Sequence, residues 1–282
     1  MSFKKSFIRF NKILNTFLLH PRQAIDFLDR LPEVVRGSAY CQAEGMILDR
    51  QFQRAGPEDR SSDSLPNPLR QYFDSRKNGR GIWKWDHYFD IYHRYLNKFI
   101  GKEVHIVEVG IYSGGSLEMW KNYFGPGCHV YGVDIQEACR LYEEERTKIF
   151  IGDQADREFW KRFRQQVPNV DILIDDGGHL PEQQIVTLEE MLPHIRPGGV
   201  YICEDIGKIG NSFSVFVHQL ADCLNAVNAV GATVKTTNWQ RSIQSVHLYP
   251  YIVVIQKNDN PINELSNVKR GTQWQPFLNG II

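Results

Sequence analysis

An excess of charge of either sign is missing from this chain of 282 residues: 33 lysines and arginines are matched by 33 aspartates and glutamates. A general nucleic-acid binder would carry a basic surplus, so the balance argues against nucleic acid as a partner. Closely spaced cysteine pairs are missing as well. Cys41, Cys128, Cys139, Cys203 and Cys223 fit no CxxC or metal-finger spacing, and their number is odd. They read as reduced thiols of an intracellular, cytoplasmic protein. No apolar run approaches the roughly 18 residues that a membrane span needs, and no internal repeat is visible. With 42% hydrophobic residues, the chain has material for one large α/β domain and an appendage.

The dinucleotide fingerprint G-x-G-x-x-G is also absent. Where its second glycine would stand, two residues after Gly110, there is the bulky Tyr112. The surrounding stretch, residues 104–115 (VHIVEVGIYSGG), is nevertheless what the rest of the chain is organised around. Val104, Ile106, Val107 and Val109 form a β-branched run suited to a strand buried on both faces. Ser113, Gly114 and Gly115 then turn the chain into a helix over 116–123. Glycine lets backbone approach a ligand closely, and the helix beyond offers unpaired N–H groups. The site predicted is a nucleotide-type pocket at the carboxyl end of a parallel strand.

Before it, residues 1–22 carry Lys4, Lys5, Arg9, Lys12 and Arg22 with no acidic residue, and Phe3, Phe7, Phe10, Leu14, Phe17 and Leu18 recur at helical spacing. Such a helix suits either docking within the protein, the favoured reading, or peripheral contact with the inner face of an anionic membrane. Residues 23–55 read as helical with a break at Pro32. The serine- and proline-rich stretch 56–69 is the candidate linker between a helical N-terminal segment, 1–79, and a domain over 80–257. Within 81–92, Trp85, Tyr88, Ile91, Tyr92 and Tyr95 fit one helical face, and Lys84, His87 and Tyr88 are candidate lid residues; core packing explains the same stripe.

From residue 104 strands and helices alternate, as in a doubly wound parallel sheet. Strand two, 129–135, ends near Asp134, about twenty residues beyond the glycine turn and placed for ribose hydroxyls. Strand three, 148–151, is followed by Asp153, read equally as an adenine contact or a turn residue. Strand four, 170–174, enters Asp175-Asp176-Gly177-Gly178-His179, and Pro181 starts a helix running to about residue 191. After the turn Arg196-Pro-Gly-Gly199, strand five, 200–203, ends in Glu204-Asp205. Four carboxylates at one sheet edge repel one another. A hard divalent ion such as Mg²⁺, Mn²⁺ or Ca²⁺ would relieve this; helix capping and pairing with Lys208 or Arg241 would too. Residues 212–230 read as a helix, 234–239 and 247–257 as the last two strands, kinked at Pro250, and 258–282 as a surface tail.

Taken together, EVGIYSGGSLEMW, YGVDI, GDQAD, DILIDDGGH, PGGVYICEDI and SVHLYPYIVVIQK resemble one family of class I S-adenosylmethionine (SAM) methyltransferases. It includes the macrocin and mycinamicin sugar O-methyltransferases and the rhamnosyl O-methyltransferase (cephalosporin-hydroxylase-like) group. The resemblance covers roughly residues 80–257; nothing nameable matches 1–79. It implies a Rossmann-like seven-stranded, mostly parallel sheet with an antiparallel closing strand, preceded by the helical segment. It further implies SAM as methyl donor, Mg²⁺ as cofactor and a sugar-containing acceptor. Glu108, Gly110, Ser113, Gly115, Asp134, Asp153 and Asp175 would belong to the SAM site, Asp176, Glu204 and Asp205 would hold the metal, and His179, aided by Asp176, would be the general base. Gly178 departs from the family's D-D-G-S-H turn, in which a serine precedes the histidine. His247 is assigned to structure. An appended helical segment also leads one to expect a homo-oligomer. A catechol-type O-methyltransferase, an NAD-dependent oxidoreductase and a non-catalytic SAM-binding partner protein are the rival readings.

Overall fold

The computed structural model describes residue 18 and residues 21–51, 66–207, 211–226 and 232–271, which fall into two units, 1–64 and 65–282. In the first unit, helix α1 runs Pro21–Gln51. The expected break at Pro32 does not occur: the helix passes through it, and the Pro32 carbonyl accepts a hydrogen bond from Arg36 Nε. Proline forfeits one backbone donor there, but 31 residues of helix absorb the loss. Ile25, Leu28, Leu31 and Val35 are exposed along it. Most of the basic segment 1–22 and of the expected linker 56–69 lies outside the described residues, as do Lys208 and the tail's Trp274 and Phe277.

The second unit opens with α2, Pro68–Ser75. Asn67 caps it, its side chain accepting from Leu69 N and Arg70 N, while Pro68 takes the first turn, where no amide donor is needed. Helix α3, Tyr88–Leu96, follows. Then come β1 Val104–Val109, α4 Gly115–Phe124, β2 Cys128–Asp134, β3 Thr147–Ile151, α5 Arg157–Gln166, β4 Val170–Asp175, α6 Pro181–Met191, β5 Ile195–Cys203 and α7 Ser212–Asp222. The chain closes with β6 Thr233–Lys235, α8 Asn238–Ser242, β7 Ile243–Tyr249, β8 Ile252–Lys257 and β9 Glu264–Ser266.

Seven strands form one sheet in the order β3-β2-β1-β4-β5-β8-β7. All neighbours are parallel except that β8 runs antiparallel to both β5 and β7. Two apolar layers cover its faces. One contains Tyr88, Phe89 and Tyr92 of α3 with Trp120 and Phe124 of α4; the other contains Phe159, Trp160 and Phe163 of α5 with Met191 and Phe213. With neighbours on both faces, β1 and β4 must be apolar throughout, and the one fully buried glutamate among them, Glu108, is an exception with a purpose. Strand order reverses between β1 and β4, which opens a crevice at their carboxyl ends.

Three expectations require correction. Strand five begins at Ile195, so Arg196-Pro-Gly-Gly199 is an irregularity within the β4–β5 ladder and not a preceding turn. Residues 234–239 are not a sheet strand. Only Thr233–Lys235 is extended, paired with β9 in a separate two-stranded sheet. Thr237 and Gln240 then form a reciprocal capping box that starts α8, and its two backbone donors satisfied locally outweigh the β-branched run before it. Finally, 247–257 is the end of one strand and the whole of the next. Pro250 cannot donate to a ladder, and Tyr251 adopts φ +62°, so the chain reverses there into the β7–β8 hairpin.

Candidate active site

Gly110 leaves β1 at φ +81°, and a Cβ built on it would collide with the Asp176 carbonyl at the end of β4. Gly110 N donates to Val133 O and Asp176 N to Val109 O, so the turn is riveted to both neighbouring strands. Gly115 is constrained differently: its missing Cβ makes room for the carbonyls of Arg80 and Gly81. Gly110→Ala should therefore destabilise by at least about 2 kcal/mol, combining left-handed strain with overpacking. Gly101→Ala, at φ +74° with no neighbour within 4 Å, should cost only the strain, roughly 1 kcal/mol. Equal losses in thermal unfolding would show that the contact with Asp176 is irrelevant.

Above this turn lies a cavity of about 1160 Å³. Gly110, Ser113, Asp134, Asp153, Asp176, His179, Glu204 and Asp205 line it. Glu108, Gly115 and Asp175 do not. Asp134 Oδ2 accepts from Ile111 N and Tyr112 N, and its Oδ1 from Gln136 N, so this carboxylate shapes the turn from the neighbouring strand. Oδ1, with one bond, keeps a lone pair to spare. Asp153 accepts from Ala155 N and helps form the turn before α5; that helix is capped by Asp156. Asp175 is fully buried, held by Gln154 Nε2 and Tyr201 OH, and burial pushes its carboxyl up to about 6.

The acidic residues divide into two groups. One atom each from Asp176, His179 and Asp205 lies within 4.8 Å of the others. His179 Nε2 is 3.9 Å from Asp176 Oδ1 and 3.7 Å from Asp205 Oδ2. His179 and Asp205 adopt φ +56° and +54°; such conformations cluster where function constrains the backbone. Asp205 Oδ1 accepts from Trp85 Nε1 and Tyr88 OH.

Glu204 belongs to a different, buried group. Its Oε1 accepts from Tyr92 OH at 2.5 Å, and its Oε2 from Lys84 Nζ at 2.9 Å. Lys84 Nζ also donates to Asp176 Oδ2 at 2.6 Å and lies 3.7 Å from Glu108 Oε1. That Glu108 oxygen is buried and otherwise without a hydrogen bond, its other oxygen accepting from Ser116. Burial alone would lower the Lys84 ammonium's pKa; the carboxylates of Glu204, Asp176 and Glu108 outweigh it and hold the charge firmly in place. Burial pushes Glu108 up to about 7 against the pull of Lys84.

The structure brings Asp176, Glu204 and Asp205 together at one edge and places among them a cation that the sequence did not single out as their partner. Lys84, expected in a lid, is 3% exposed and serves as internal counter-ion to three acids. His87 does not line the cavity; it contacts the Pro250 carbonyl. Tyr92 and Gln154 were not singled out. Tyr88, a candidate lid residue, and Tyr92, noted only in the aromatic stripe, stand four apart on α3, a spacing that aims both hydroxyls at the same edge. Gln154 Oε1 accepts from Gly178 N, fixing the turn that carries His179. A Cβ at Gly178 would meet the Gln183 carboxamide, so the family's serine would require that side chain to move. His247 bonds Ser245 and packs on Tyr95, a structural role.

Comparison with known proteins agrees with this geometry. The family described as "Methyltransferase domain" matches residues 107–206. Residues 107–206 form a methyltransferase domain. Demethylmacrocin O-methyltransferase of Streptomyces fradiae is 30% identical over 216 residues, covering 69% of this chain and 53% of that protein. Mycinamicin VI 2''-O-methyltransferase of Micromonospora griseorubida is 35% identical over 122 residues, 41% of this chain and 30% of the relative. The solved structure of MycE methyltransferase from the mycinamycin biosynthetic pathway, in complex with Mg, SAH and mycinamycin VI, superposes with TM-score 0.56 at 26% identity, covering 69% of this chain and 54% of that one. The chain spans about half the length of the demethylmacrocin O-methyltransferase that it matches. The second unit thus has the Rossmann-like sheet with one antiparallel strand that the resemblance implied, of which the matched residues supply the end of β1 together with β2 to β5. Among the described residues, no helix is long and apolar enough to cross a membrane.

Proposed function

We propose that this chain transfers a methyl group from SAM to a hydroxyl of a sugar on a glycan or glycosylated natural product, with a divalent cation such as Mg²⁺ at the acidic edge. The observation that carries the reading is the Asp176–His179–Asp205 group, gathered just beyond the carboxyl ends of β4 and β5. The donor set fits a cation. Asp176 and Asp205 offer carboxylate oxygens beside the cavity, and Glu204 joins them if its bond to Lys84 is given up. The cavity and the glycine turn fit a nucleoside ligand, with Asp134 and Asp153 on its wall.

When bound, the ion supplies charge that stabilises an alkoxide and lowers the hydroxyl's pKa. His179 Nε2 then takes the proton of the attacking hydroxyl. Asp176 Oδ1 and Asp205 Oδ2 flank that imidazole at 3.9 Å and 3.7 Å. SAM would supply the activated methyl group and a thioether leaving group, and positioning of the hydroxyl by the cavity would supply much of the acceleration. Trp85 and Tyr88 fix Asp205 from above, and the segment around Lys84 covers the buried acids from water.

The direct test is calorimetric titration of SAM, S-adenosylhomocysteine and NAD, with Mg²⁺ and with EDTA. SAM binding without an NAD signal is expected; no SAM binding under either condition would sink the reading. A homo-oligomer is part of the same proposal, supported by the apolar side chains exposed along α1, and light scattering checks it. Contact of residues 1–22 with an anionic membrane surface is checked by vesicle flotation.

A further inference from the structure

The amino ends of the strands, at the edge of the sheet away from the crevice, carry a second group of ligating side chains that the methyl-transfer reading leaves unused. His105 on β1 and His129 on β2 are register partners on adjacent parallel strands. Their rings lie 4.8 Å apart and within 9° of parallel. Glu103 Oε1 stands 3.5 Å from His105 Nε2. One ligand atom from each of the three lies within 4.8 Å of the others.

Three features make this more than a chance pairing. The Tyr131 hydroxyl sits 2.9 Å from His105 Nδ1 and leaves Nε2 turned toward Glu103. A hydrogen-bonded partner on the far nitrogen is what orients a metal-ligating histidine. His129 makes no hydrogen bond among the described residues, so both its nitrogens are available. Glu103 is 75% exposed and the histidines are half-buried, so an ion could enter from solvent and keep a water ligand.

We propose that Glu103, His105 and His129 form a second metal site, for a borderline-soft dication of the Zn²⁺ class. Two imidazoles and one carboxylate with an open position match that class and suit Mg²⁺ poorly. β1 spans six residues, so at about 3.3 Å per residue the two sites lie on the order of 15 Å or more apart. The ion would clamp β1 to β2 where the two strands begin, and it takes no part in the proposed transfer.

The experiment is Zn²⁺ titration by calorimetry in excess Mg²⁺, on an Asp205→Asn background that removes a ligand from the other group. His129→Gln should weaken Zn²⁺ binding about tenfold or more. In the unsubstituted protein, imidazole NMR signals of His105 and His129 should move together on adding Zn²⁺, a readout independent of how any variant folds. Undiminished Zn²⁺ binding by the His129→Gln protein, or ring signals that stay fixed while other histidines respond, would overturn the site.

Discussion

His179→Asn is expected to lower turnover by a factor of about 10² to 10⁴ while leaving S-adenosylhomocysteine affinity within about twofold. Asparagine is the informative replacement because it tolerates the left-handed backbone that His179 adopts at φ +56°. A loss can then be assigned to the missing base and not to strain. The imidazole is 39% exposed, and its separations of 3.7 Å and 3.9 Å from Asp205 and Asp176 are too long for hydrogen bonds. A histidine kept for structure would be bonded, as the half-buried His194 is to the Val167 carbonyl. Turnover is best followed as methyl transfer from labelled SAM across a panel of glycosides beginning with mycinamicin VI, with nucleotide affinity from calorimetry. Unchanged transfer would remove His179 as the base. A parallel loss of nucleotide affinity would place it in the cofactor pocket instead.

How much of this was legible in the sequence depended on the range of the interactions involved. Strands β1 to β4 announce themselves because a strand covered on both faces must be a continuous apolar run, and each ends at a glycine or a carboxylate that its neighbours explain locally. Gly110 is forced by a backbone contact made with the very next strand in the sheet, β4. The closing region failed for an equally local reason, since the Thr237–Gln240 box and the Pro250 turn were available to be read and were outweighed by apolar pattern. The acid–Lys84 contacts are another matter. They join residues 92 and 120 apart in sequence, and a lysine between two tryptophans carries no periodicity from which such a pairing follows. Repulsion among Asp175, Asp176, Glu204 and Asp205 was anticipated and a dication invoked to relieve it; the fold supplies an ammonium at two of the four.

That ammonium sets up the largest effect on stability. Lys84→Met should cost about 3–5 kcal/mol at pH 8, the range for removing one partner from a buried ion pair. The methionine fills the same space but leaves Glu108, Asp176 and Glu204 without their shared cation. The buried carboxyls respond by binding protons. Glu108 already stands at about 7 with Lys84 beside it, and losing that pull moves it higher. A carboxyl whose folded pKa exceeds its unfolded one binds more protons when folded, so stability falls as pH rises from the ordinary carboxylate value toward the raised one. The deficit of the variant should therefore be small near pH 5 and grow as pH rises past 7. Mn²⁺ should reverse it. With Lys84 gone, both Asp176 and Glu204 are released to a dication, which should bind about tenfold or more tightly than in the unsubstituted protein and raise the unfolding temperature by linkage. Thermal midpoints at the two pH values, with Mn²⁺ and with EDTA, read all of this without requiring turnover. A deficit that ignores pH would mean that Lys84 contributes packing alone. Equal Mn²⁺ stabilisation of both proteins would mean that ion and ammonium do not compete for these oxygens, leaving Glu204 outside the metal site.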